Sequence, residues 1–163
     1  MRKHKGFSLI ELLIVVAIIL IIAAIAIPNL LRARIAANES AAASQLRTLN
    51  TAQVSYASNY PAQGYGTLAQ LGGAIPCTPS STTACLIDNS LATNYNAKGK
   101  SGYNFEIANP NPGQYVAAAT PITVGSTGQN SFCAVEDGVV RKDTTGTDDN
   151  SEALCGAQVA LGN

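Results

Sequence analysis

The chain has 163 residues, and its 10 basic side chains balance 10 acidic ones, so it offers no cationic excess to a nucleic-acid backbone. Its only histidine, His4, and its only methionine, Met1, lie at the extreme amino end. That leaves no histidine further along for a Ser-His-Asp, Cys-His or histidine–zinc site.

Arg2, Lys3 and Lys5 precede an apolar run, Phe7–Ile27, broken by one carboxylate, Glu11. As a helix this run reaches about 31 Å, close to the ~30 Å hydrocarbon core of a bilayer. Arg32 and Arg34 follow it. The small basic excess on the amino side predicts a cytoplasmic amino end and an external remainder. An ionisable group inside such a span is costly without a partner and marks a functional position. The competing reading is a conventional signal peptide cut at Ala24-Ile25-Ala26, releasing a soluble binding domain. The run is longer than a signal peptide's apolar region and continues in helical phase, which argues against that reading.

Beyond it, Pro28 lacks a backbone donor and should kink or loosen the helix. Ile35, Ala42, Leu46, Leu49, Tyr56 and Tyr60 then recur at helical spacing and predict one apolar stripe. Arg32, Arg34, Glu39, Arg47 and several Asn, Gln and Ser residues are assigned to the other faces. The reading is one helix over 7–58, with 7–27 transmembrane and 28–58 amphipathic. Tyr56, Tyr60 and Tyr65 near its end read as core and loop anchors rather than an electron path.

Residues 59–100 read as a loop region punctuated by Gly64, Gly66, Gly72, Gly73, Pro76 and Pro79, with room for a short helical turn near Thr67–Leu71 or Asp88–Leu91. Residues 101–163 read as a sheet with a disulfide-bounded carboxy-terminal loop. Tyr103, Phe105 and Ile107 alternate, as do Tyr115, Ala117 and Ala119 after the Asn109–Gly113 turn. Ser131–Val135 and Val139–Lys142 form a hairpin around Glu136-Asp137-Gly138. Glu106, Glu136 and Asp137 read as solvated acids rather than an acid/base pair. Three or four antiparallel strands are expected, making the fold class α+β: a long amino-terminal helix packed on a small antiparallel β-sheet head. Four cysteines allow three pairings. Cys77–Cys85 and Cys133–Cys155 each close a local loop, with chain-entropy contributions of about 2.6 and 3.4 kcal/mol.

The segment Gly6-Phe7-Ser8-Leu9-Ile10-Glu11-Leu12-Leu13-Ile14-Val15-Val16-Ala17-Ile18, continued by Ala24-Ile25-Ala26-Ile27-Pro28-Asn29-Leu30, resembles the amino terminus of type IV pilins and type II secretion pseudopilins. The resemblance implies a leader, residues 1–6, cut between Gly6 and Phe7 by a prepilin peptidase, and methylation of the new Phe7 amine. It implies that Glu11 meets the terminal amine of a neighbour in a helical homo-oligomer. Losing Arg2, Lys3 and Lys5 takes the basic count from 10 to 7 against 10 acids, a formal charge of −3.

The implied partners are the peptidase, an inner-membrane assembly platform, the bilayer before assembly, and other copies of the chain. The implied product is a surface pilus for adhesion, twitching or DNA uptake, with a periplasmic pseudopilus as the alternative. Carboxy-terminal disulfides are frequent in these pilins. No cofactor is expected, apart from calcium, which the major pseudopilin binds near this end; here its ligands would be Asp143, Asp148, Asp149 and Glu152.

Overall fold

The computed structural model describes residues 7–93, 99–147 and 150–162. Two compact units divide the chain, one carrying the residues up to Arg34 and one beginning at Ile35. Helix α1, Leu9–Asn59, contributes to both. Three further short helices follow: α2 (Leu68–Leu71), α3 (Asn89–Ala92) and α4 (Glu152–Gly156). The strands are β1 (Tyr103–Ala108), β2 (Val116–Pro121), β3 (Ser131–Val135), β4 (Val140–Asp143) and β5 (Val159–Ala160). They form one antiparallel sheet in the order β1-β2-β3-β4-β5.

In the first unit no described side chain is buried, although most are Leu, Ile, Val or Ala. Leu9, Leu20 and Ile25 are each more than half exposed. Such a helix has no core of its own to face and is long and apolar enough to cross a membrane. The helix continues unbroken through Pro28.

The second unit is built on the predicted stripe. Ala42, Leu46, Leu49 and Tyr56 of α1 are fully buried against Tyr103, Phe105, Ala117, Ala119, Phe132, Ala134 and Val140 of the sheet. Ile35 is only half-buried, so the packed stripe begins later than its sequence spacing predicts. Tyr56 and Tyr60 stack at 5.0 Å between ring centroids, and Tyr65 meets Tyr115 at 4.7 Å, which makes these rings anchors of the core edge.

The opposite side of the sheet is covered too. Val116, Cys133 and Val135 cluster there with Cys155 of α4. Strand β3 is consequently buried at every position, which an exposed back face would forbid.

The sequence reading changes in three further places. Glu39, assigned to a solvated face, instead accepts from Gln129 N (2.9 Å), Asn130 N (3.1 Å) and Asn130 Nδ2 (2.8 Å). Other polar residues on the stripe are tied down as well: Asn38 donates to Thr127 O, and Asn50 donates to Gly138 O while accepting from Tyr115 OH. Gln53, fully buried, pairs both ends of its amide with the backbone of Gly66, at 2.6 and 2.9 Å. These bonds satisfy loop backbone groups that the core would otherwise strand without water.

Second, the sheet has a fifth strand, β5, pairing Val159 with Lys142 and Ala160 with Arg141. Third, the acidic stretch near residue 150 contains helix α4, capped by Ser151 Oγ accepting from Leu154 N at 3.3 Å.

The loop region carries its two helical turns at the predicted places, each started by a side-chain cap. Thr67 and Gln70 form a reciprocal capping box on α2. Asp88 caps α3 and accepts from Lys100 Nζ at 2.6 Å. In the β3–β4 turn, Gly138 takes φ +72°, a left-handed conformation that a side chain would strain. At Gly128 a Cβ would lie 2.0 Å from the Tyr103 hydroxyl, so only glycine lets that buried ring donate to Asn130 O.

Replacing Gln53 by Leu, close in volume, removes both partners of Gly66 and leaves a buried N–H and C=O unpaired. The expected loss is about 2 kcal/mol or more, measured by urea unfolding of the purified protein. Gln53→Glu, which can still accept from Gly66 N, is expected to lose the other bond and introduce a buried charge.

A pH effect follows from Asp88. The Lys100 ammonium, helped by the Ser90 hydroxyl, lowers its carboxyl from the ordinary 3.8 to about 2. A folded-state value below the unfolded one means the stabilisation is complete above about pH 4 and disappears as pH falls through 2. Thermal midpoints of wild type and Asp88→Asn should therefore differ above pH 4 and converge near pH 2, by a modest amount because the pair is half-exposed.

Candidate assembly and anchoring site

The predicted assembly residues sit at the first turn of α1. Phe7 is largely exposed, and Glu11 lies in that turn with Oε2 accepting from Ser8 N at 2.9 Å. The contact is one half of a capping box, and a carboxylate here also benefits from the positive end of the helix dipole. One N–H uses a single acceptor position of a carboxylate that has about four. The group can therefore hold its own helix start and still receive a cation. Gly6, with Arg2, Lys3 and Lys5, lies outside the described residues.

Both disulfides join neighbours in sequence, Cys77 with Cys85 and Cys133 with Cys155. The first closes the loop between α2 and α3. The Tyr56 hydroxyl also grips that loop, donating to Ser81 O. The second fastens α4 to β3, with both cysteines fully buried.

Of the calcium candidates, Asp148 and Asp149 lie outside the described residues. Asp143 is buried and accepts from Thr145 N at 3.0 Å, from the Thr145 hydroxyl, and from the Thr147 hydroxyl at 3.0 Å. Burial alone would raise its carboxyl pKa, but these donors outweigh burial and lower it. Glu152 is exposed in the first turn of α4. Among the described residues, no three His, Cys, Asp or Glu side chains group as metal ligands. Asp137 is taken up by its turn, accepting from Val139 N and pairing with Arg141.

Residues 1–27 match the family described as "Prokaryotic N-terminal methylation motif". The chain is 38% identical over 118 residues to the Type IV wide pilus major component PilA4 of Thermus thermophilus, covering 71% of this chain and 88% of that one. It is 52% identical over 54 residues to the Type IV major pilin protein PilA of Myxococcus xanthus, covering 33% and 24% respectively. No solved structure matches it. An apolar amino-terminal helix with one acid in its first turn, a sheet head and the likeness to PilA4 over most of both chains lead to one conclusion: the chain belongs to the type IV pilin family.

Proposed function

We propose that the chain is a structural, non-catalytic subunit of a type IV pilus, held in the inner membrane as a precursor and polymerised through α1. In this reading residues 1–6 lie on the cytoplasmic side. Prepilin peptidase cuts between Gly6 and Phe7, and the new Phe7 amine is methylated. An inner-membrane platform then moves the subunit into a growing homo-oligomer, where Glu11 of one copy meets the terminal ammonium of a neighbour. No cofactor or bound calcium is needed.

The observation that carries this reading is Glu11, the one ionisable side chain from Phe7 to Leu31, in a stretch of α1 with no buried residue. A carboxylate in a bundle of such helices is destabilising by about 3–5 kcal/mol if its partner is removed. A cationic amine created one turn away supplies that partner. The pilus-component names of the relatives support a surface pilus over a secretion pseudopilus.

Mass spectrometry of the protein recovered from cell-surface fibres tests the proposal. The expected chain begins with N-methylated Phe7, and deleting the gene abolishes the fibres. A mature start at Ile27, or a protein-secretion defect with no fibre to lose, would overturn it.

A further inference from the structure

Immediately after the apolar part of α1 stand two cations, Arg32 and Arg34. Leu30 and Leu31 are still apolar and exposed, and Arg32 and Arg34 are exposed beside them. Among the described residues neither arginine forms an ion pair. The next acid along the chain on the carboxy side, Glu39, is occupied by Gln129 and Asn130. On the amino side the nearest is Glu11, about 31 Å away along the helix.

The geometry points to an encircling anionic ligand: Arg32 and Arg34 bind the phosphodiester headgroups of acidic phospholipids on the outer face of the membrane that holds the precursor. Residues two apart on an α-helix project roughly 200° from each other, so they do not share a face. A single acidic patch on a protein cannot take both, whereas a headgroup layer surrounds the helix.

The depth also fits. If the hydrocarbon ends near Ile27, the backbones of Arg32 and Arg34 lie about 7.5 and 10.5 Å beyond it. The polar layer on each side is about 5–7 Å thick. Helical side chains tilt towards the amino end, which here is the membrane side, so both guanidinium groups reach back into that layer. Guanidinium suits the task because its planar fork accepts a phosphate in bidentate fashion. Such a belt fixes how far the span is inserted before assembly.

This inference rests on the membrane-held precursor proposed above, and one experiment separates the two. The full-length protein is reconstituted in phosphatidylcholine vesicles containing spin-labelled phosphatidylglycerol or spin-labelled phosphatidylcholine. Electron spin resonance then reads the lipid immobilised at the protein. Both labels should show an immobilised fraction, with phosphatidylglycerol favoured about fivefold or more at low salt and the preference shrinking in 1 M salt.

The double variant Arg32→Gln/Arg34→Gln should keep the immobilised fraction and lose most of that preference. Any residual preference reports the leader's own cations, which are the same in both proteins. An unchanged preference overturns the inference. If that variant keeps its lipid preference but fails to form fibres, the arginines face a second copy of the chain instead. Absence of an immobilised fraction with either lipid overturns the membrane-held precursor itself, and this inference with it.

Discussion

A carboxylate placed in a helical stretch that buries nothing imposes a demand on whatever surrounds it. From Leu9 to Leu31 every side chain of α1 is exposed or nearly so, and only Glu11 among them ionises. Lipid accepts the Leu, Ile and Val side chains, and so does a bundle of identical helices. Neither accepts an unpaired charge. The bond from Ser8 N–H meets part of the demand within one chain. In the proposed assembly, the remainder would be met by a neighbour that brings a cation.

The head meets a different constraint with different means. Its sheet carries small side chains, Ala117, Ala119 and Ala134, where α1 packs, and α4 is stapled on the other side through Cys133–Cys155. Covering both sheet faces makes β2 and β3 dry, so the loops at the sheet ends must find hydrogen bonds elsewhere. Glu39, Asn50 and Gln53 on α1 provide them. The same helix therefore serves as apolar span in one unit and as polar organiser of loops in the other. A filament subunit benefits from this division: one stretch can exchange lipid for neighbours while the head keeps its own contacts.

Much of this was legible in the residues. Periodicity exposed the helix and its stripe because Leu46, Leu49 and Tyr56 recur with the helical repeat. Glu11 stood out because a single charge in an apolar run has no bland packing role. Short helical turns near Leu68 and Asn89 were expected in the loop region, and the structure adds that Thr67 and Asp88 cap them.

What escaped followed from context. Glu39, Asn50 and Gln53 keep the stripe's phase, but polar residues there look like surface until the loops they bind are in place. Strand β5 is two residues long, too short for alternation to register. Helix α4 hid at the end of an acidic segment because five residues are too few for helical periodicity to register; Ser151 caps it and the disulfide at Cys155 fastens it.

The most direct test of the Glu11 pairing is the yield and axial spacing of fibres made by a Glu11→Gln variant, which keeps the side chain's size and removes only its charge. The account predicts a precursor that is still processed and membrane-held, with an unchanged head, but fibre yield reduced about a hundredfold or more, since the partner ammonium is left uncompensated. Wild-type yield with unaltered axial spacing would contradict it.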